Sequence, residues 1–228
     1  MCGRMSITQP LEAMARLFDA TPVNDLPVVP NYNVCPTVNI HTVVSAQGTR
    51  HLKAMRWGFV PHWYQTLTDG PLLINARSET VQGKPTFREA FNYRRCLVVA
   101  SGWYEWSAPK TPWHIQLYDG GVMAFGGLLY GQADQQRFVI LTTAADAGLA
   151  DIHHRAPLTL APEDYDVWMA GDAETASRLL RPAPAHWFNW YRVGPDVGKV
   201  GNDHPALVTP LSDDALRMET APQGDLFA

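Results

Sequence analysis

Scattered residues, Cys2, Asn75, Glu105 and the adjacent His153 and His154, are of types that could together run aldehyde or acyl chemistry. The chain opens Met-Cys-Gly-Arg, and Cys2 is small enough for ordinary N-terminal processing to remove Met1. The product would carry a free amine and a free thiol two carbons apart. An α-amine titrates near ~8 and a thiol near ~8.5, so both have nucleophilic forms close to neutrality. One use of such a pair is acyl transfer, with the amine acting as base to the thiol. The other is capture of an aldehyde, in which the amine forms an imine and the thiol closes on it to give a five-membered thiazolidine. Closure is intramolecular, with an effective concentration on the order of 10⁵ M or more when the groups are aligned.

The other residues sit in dense segments. Glu105 lies in SGWYEW, between Trp103, Tyr104 and Trp106, where desolvation should raise its pKa towards the range of a proton shuttle. LLINARSET supplies Asn75, Arg77 and Glu79, and DIHHRAPLTL supplies His153 and His154. A histidine adds a second group that titrates near neutrality. Each has an ordinary reading too: strand glutamates are mostly at the surface, and most single histidines are structural.

The elements that must position them read mainly as strands. VNIHTVVSA, LKAMRWGFV, RCLVVASGWYEW and RFVILTTA are β-branched and aromatic runs. Trp113–Tyr118 alternates, and Asp119-Gly120-Gly121 predicts a hairpin into Val122–Phe125. Thr8-Gln9-Pro10 predicts an N-cap before a helix carrying Leu11, Met14, Leu17 and Phe18. Residues 21–37, rich in Pro and Asn, read as an ordered loop, and helices are predicted over 162–170 and 173–180. Strands adjacent in sequence favour antiparallel pairing, so the expected class is α+β. It is a single domain with a curved, barrel-like, mostly antiparallel sheet surrounded by helices, over residues 1–211. An acidic, flexible tail follows over 212–228.

With 228 residues and 46% hydrophobic content, the chain can bury a full core. It has no long apolar run and no secretory leader pattern, so a cytoplasmic, nucleoid-associated location is expected. Three cysteines without CxxC spacing argue against a disulfide framework and a structural zinc, and no metal or cofactor is called for. Residues 50–95 hold eight bases against three acids, and residues 193–228 two bases against six acids. A basic middle can hold a polyanion while an acidic tail stays clear of it, although a charge run is more often only a solvated face.

Eight ordered blocks give the chain a closer resemblance. MCGR, YNVCPT (32–37), RWGFVPHW (56–63), INARSET (74–80), FREAF (87–91), RRCLVVASGWYEW (94–106), ILTTAA (140–145) and IHHRAP (152–157) are similar to those of the SRAP (SOS response-associated peptidase) family. The resemblance implies binding of single-stranded DNA and covalent capture of the ring-opened aldehyde of an abasic site as a thiazolidine. It places the crosslink on Cys2. It gives Asn75 the orienting of the sugar or the N-terminus, Glu105 the proton transfers, and His153 help in ring opening or imine chemistry. Arg4, Pro36, Trp57, Trp63 and Arg77 fall on the implied DNA-contacting surface. Arginines on phosphates and aromatic rings beside bases would grip a strand with little sequence preference and marked salt dependence. Self-removal of Met1 and strand cleavage through the imine are further implications.

The chain departs from the family pattern where Ala156 stands in place of Met in H-x-R-M-P, where Cys35 replaces Ala, and at Val99. These changes bear on packing and thiol chemistry. By register His153 is favoured over His154. The C-terminal Gln223-Gly224-Asp225-Leu226-Phe227 resembles the Q-x-x-L-F peptide that docks on replication sliding clamps. The competing classes are an N-terminal-nucleophile hydrolase of peptidase or amidotransferase type, and a non-covalent single-strand-binding module. An NGEIYN-like segment, which an amidotransferase would need, is absent from the sequence.

Overall fold

The β-branched run Asn39–Ala46 (β4) turns back on Gln47 and Gly48, both at positive φ (52° and 77°), into Thr49–Trp57 (β5). Positive φ at both central residues matches the right-handed twist of the strands, so a two-residue loop closes the hairpin with Ala46 opposite Thr49. The computed structural model describes residues 2–61, 63–64, 70–131 and 135–220, without the side chains of 217–220.

The remaining strands are β1 (Met5–Ile7), β2 (Ala20–Val23), β3 (Asn31–Val34), β6 (Asn75–Arg77), β7 (Arg95–Ala100), β8 (Gly102–Ser107), β9 (Thr111–Leu117), β10 (Met123–Tyr130), β11 (Arg137–Ala144), β12 (Arg155–Pro157), β13 (Thr159–Leu160) and β14 (Phe188–Arg192). One sheet runs β14-β9-β8-β1-β3 and the other β12-β11-β10-β7-β4-β5-β2. β11 also pairs with β5 in parallel, so β4, β5, β11, β10 and β7 close into a ring. The expected barrel-like sheet in an α+β chain is therefore present. Helices α1 (Leu11–Leu17), α2 (Pro85–Tyr93), α3 (Tyr165–Ala170), α4 (Ala173–Ser177) and α5 (Asp213–Thr220) lie among the strands in chain order. Among the described residues no helix is long and apolar enough to cross a membrane.

RCLVVASGWYEW does not form one strand. It splits at Ser101, with β7 in the ring and β8 in the other sheet. A Cβ on Gly102 would meet His114 Nε2 at 2.3 Å and the Ile115 carbonyl at 2.8 Å, so the crossing admits no side chain. Trp103 then sits edge-on to Phe125 and Phe188, with ring centroids 5.8 and 5.2 Å away, in the main core. Tyr104 faces the opposite way, into a smaller cluster with Val193, Val197 and Leu207. The sharp change of sheet thus fixes which face Glu105 shares: that of Trp103, by strand alternation.

Several local expectations are corrected. The Asp119-Gly120-Gly121 turn joins strands that do not pair. β9 bonds β8 and β14, whereas β10 bonds β7, β11 and β13. The near-continuous burial of β10 marks a central strand of the ring, and that demand outweighed the local turn signal. The 21–37 segment is not all loop, because β2 and β3 are short edge strands where a residue such as Pro22 costs no ladder bond. Pro10, not Thr8, occupies the N-cap of α1; the Thr8 N–H goes to Ser101 Oγ at 2.9 Å. From residue 213 the chain forms α5, whose first turn carries Asp213 and Asp214 at the positive end of the helix. α2, absent from the sequence reading, buries Phe87, Ala90 and Phe91. The buried Arg95 guanidinium donates to carbonyls of Phe91, Asn92, Trp168 and Gly171, satisfying the open ends of α2 and α3.

Candidate active site around Cys2

Cys2 leads into β1 and is fully buried. Its carbonyl accepts a hydrogen bond of 2.7 Å from Asn75 Nδ2. Because a carbonyl can only accept, this contact fixes the Asn75 amide with its nitrogen towards Cys2. The Asn75 Oδ1 is buried and makes no hydrogen bond within the described residues, which leaves one acceptor of this amide unused. Asn75 is itself placed by the parallel pairing of β6 on β11, with Ile140 beside it.

Glu105 lies on β8, which pairs with β1 next to Cys2, and is 4% exposed. Burial pushes its carboxyl up to about 7. Burial pushes the Cys2 thiol up too, and the Glu105 charge adds to the effect. The two groups therefore share one low-dielectric space, in which the Glu105 charge opposes ionisation of the thiol. Burial thus disfavours the thiolate.

His153 precedes β12 and is half-buried. Its Nδ1 lies 3.0 Å from the Arg155 N–H and 3.1 Å from the Arg155 carbonyl, so the backbone holds the ring. Burial lowers its pKa, which favours the neutral imidazole. His154 is exposed, and its ring stacks on His153 at 4.4 Å rather than pointing away as an extended segment would have it.

The INARSET and IHHRAP segments are tied by a contact the sequence reading missed. Arg155 donates to both Glu79 oxygens, at 2.5 and 3.0 Å, and also to the Thr142 carbonyl. The partners are 76 residues apart, so only folding reveals the pair. Arg155 is buried, so its fork geometry matters and a lysine cannot reproduce it. Arg155→Lys is expected to lower stability by about 2–4 kcal/mol in urea melts, against a near-neutral effect for an exposed pair such as Arg178–Glu174.

The structure thus brings Cys2, Asn75 and Glu105 together and ties the His153 loop to the Asn75 strand. The expected contact surface is less uniform. Trp57 is fully buried, its Nε1 donates to the Ile74 carbonyl at 3.0 Å, and it stacks on Phe138. It is a core residue and not a ring for stacking on bases, because β5 alternation turns position 57 inward. Arg4 Nη1 donates to Asn33 Oδ1 (2.7 Å) and the Val197 carbonyl (2.6 Å), tethering the N-terminal strand to the C-terminal segment. Arg77 is exposed, Pro36 is half-buried and Trp63 is 55% exposed. Next to Pro36, Thr37 is held at φ 77°, a left-handed conformation costly for a β-branched residue, by donating its N–H to the Trp57 carbonyl. Gln223, Leu226 and Phe227 lie outside the described residues.

Comparison with known proteins places this arrangement. A family model for SOS response associated peptidase (SRAP) matches residues 1–200. Abasic site processing protein YedK of Escherichia coli (strain K12) is 34% identical over 226 residues, covering 92% of this chain and 100% of that one. Abasic site processing protein YoqW of Bacillus subtilis (strain 168) is 31% identical over 221 residues, covering 91% and 99%. A crystal structure of a protein from Bacteroides thetaiotaomicron shares the fold with a TM-score of 0.78 at 22% identity, over 92% of this chain and 100% of that one. A phage-related protein of Bordetella bronchiseptica aligns with a TM-score of 0.69 at 29% identity, over 84% and 94%. With its N-terminal cysteine held by Asn75 beside a buried glutamate, and matched by the family model over most of its length, the chain belongs to the SRAP family.

Proposed function

We propose that this chain is an abasic-site processing protein that captures the ring-opened aldehyde of an abasic site in single-stranded DNA through Cys2. The observation that carries the reading is the Asn75 bond to the Cys2 carbonyl, with the Cys2 thiol in the same buried space as Glu105. Hydrolysis of the Met1–Cys2 bond frees the amine, whether by ordinary processing or by the protein itself. The amine then attacks the aldehyde and loses water to form an imine. The thiol sulfur adds to the imine carbon, its proton passes by way of Glu105 to the nitrogen, and the thiazolidine closes with net loss of one water. Asn75 keeps Cys2 in register, and the neutral His153 assists opening of the sugar. β-Elimination from the imine is open to the same site, so strand cleavage is a side activity.

The test is incubation with a labelled single-stranded oligonucleotide bearing one abasic site, followed by denaturing electrophoresis. A shifted band resistant to denaturation is expected with the wild type and absent with Cys2→Ala. Equal bands from both variants would remove Cys2 from the mechanism. Among the contact residues, Trp63→Ala is expected to weaken binding of undamaged single strands by about 1–3 kcal/mol while leaving folding stability within about 0.5 kcal/mol. Trp57→Ala should instead cost about 3–5 kcal/mol of stability, read by urea melts.

The C-terminal Gln223-Gly224-Asp225-Leu226-Phe227 is proposed as a docking peptide for a replication sliding clamp, with Leu226 and Phe227 entering an apolar pocket. Clamp binding undiminished in the Leu226→Ala, Phe227→Ala double variant rules this out.

A further inference from the structure

Beyond the Cys2 site, one polar cleft brings together two arginines that the sequence keeps 81 positions apart. β5 pairs with β4 on one side and with β11 on the other. The registers set Asn39 beside Arg56 and Arg56 beside Arg137. Met55 and Trp57 are buried, so alternation turns Arg56 to the outer face, and its register neighbours Asn39 and Arg137 share that face. The cleft they line has a volume of about 330 Å³.

The electrostatics of this cleft are unbalanced. Like charges directly side by side on neighbouring strands are destabilising. Within the described residues neither guanidinium makes an ion pair or side-chain hydrogen bond, whereas Arg50 is paired with Asp166 and Arg94 with Glu89. Gln136, which lines the cleft, accepts at its Oε1 from Lys53 Nζ at 2.8 Å. Among the described residues, the lining holds a single acid, Asp25. The Asn24 amide is spent on the Ala54 backbone, at 3.0 and 3.2 Å, and braces the floor. Two adjacent forks with an amide beside them suit the oxygens of a phosphodiester, which accept such donors in pairs.

The cleft and the N-terminal strand are linked along the chain. Met5 pairs with Val34, so Cys35, Pro36 and Thr37 run back along the N-terminal residues towards Cys2. The Arg4 charge acts on the Cys35 thiol, consistent with that register. The chain continues through Val38, whose carbonyl accepts from the Trp57 N–H at 3.0 Å, to Asn39 beside Arg56.

We infer that the cleft between β4, β5 and β11, through Arg56 and Arg137, binds phosphodiester groups of the strand that flanks the captured site. This rests on the single-strand reading above and deepens it: the protein would grip DNA at a second place, away from the aldehyde. The same donors could take a free polyphosphate, so the test includes one.

The test compares wild type with the Arg56→Gln, Arg137→Gln double variant, using undamaged single-stranded oligonucleotides of increasing length over a salt series. Each phosphate neutralised contributes a slope of about −0.7 in log K against log salt for single strands. The variant should show a slope shallower by about 1.4 on long strands and no difference on strands too short to reach the cleft. Unchanged slopes at every length would overturn the inference. Thermal melting keeps the comparison honest, since two exposed-face glutamines should leave the fold intact; a variant that melts early is replaced by the single substitution Arg56→Gln, with an expected loss of about 0.7. If the wild type binds no strand at all, the functional reading fails, and direct titration with tripolyphosphate decides the cleft. Saturable binding lost in the variant keeps an anion site with a free ligand. Binding by neither protein ends the proposal.

Discussion

Glu105→Gln is expected to slow adduct formation by about 10²–10⁴-fold at pH 7, the usual range for loss of a positioned proton-transfer group. In SGWYEW the change of sheet at Ser101 and Gly102 turns Glu105 to the buried face of β8. Burial raises its pKa to about 7, which sets the group close to half-ionised where the reaction must run. The wild-type rate should climb with pH through about 7 as the carboxylate forms, and the Gln variant should be flat there. Stability moves the opposite way. The ordinary value is 4.5 and the folded value about 7, so the folded state binds the proton more tightly. Its contribution is complete below pH 4.5 and is lost as pH rises through 7. Glu105→Gln should therefore be more stable than wild type by about 3 kcal/mol at pH 8 and equal to it near pH 4. Urea melts at the two pH values check this. An identical difference at both would mean that burial of a charge is not what separates the two proteins.

The second large effect is at Asn75. Removing its amide leaves the buried Cys2 carbonyl without the 2.7 Å donor, at a cost of about 1–3 kcal/mol in stability. The larger consequence is positional. An amine displaced by about 1 Å from its attack geometry loses about 10²-fold in rate. Asn75→Ala is thus expected to bind undamaged strands normally and to form the adduct about 10²-fold more slowly. Asn75→Asp should be at least as slow, because an ionised carboxylate cannot donate to the carbonyl. A variant that loses strand binding and adduct formation in parallel would make Asn75 a contact for DNA instead of a holder of Cys2.

How far the sequence spoke for the structure depended on distance along the chain. Runs such as Asn39–Ala46 and Thr49–Trp57 announce their strands, because enrichment in β-branched and aromatic residues is a local property. Ring closure by β5 on β11 is not local, and neither is the choice of β10 for the ring over a hairpin with β9. The aromatic wealth around Glu105 correctly predicted a raised pKa, since desolvation follows from neighbours in sequence and across the sheet. The resemblance put Trp57 on the contact surface, whereas strand alternation turns it into the core. Asn75, Cys2 and Glu105 could be named from resemblance. That Asn75 holds the Cys2 backbone, that Arg155 clasps Glu79, and that Arg56 stands beside Arg137 required the fold.

The central claim is that Cys2 acts with both its amine and its thiol. Intact mass spectrometry of the protein before and after incubation with an abasic single strand, without borohydride, tests it most directly. The account predicts a first spectrum without Met1, and a second at the sum of protein and DNA less one water. That adduct should persist unreduced, as a thiazolidine does and an imine does not. A protein already lacking Met1 that yields no adduct, or one that is trapped only after reduction, would contradict it.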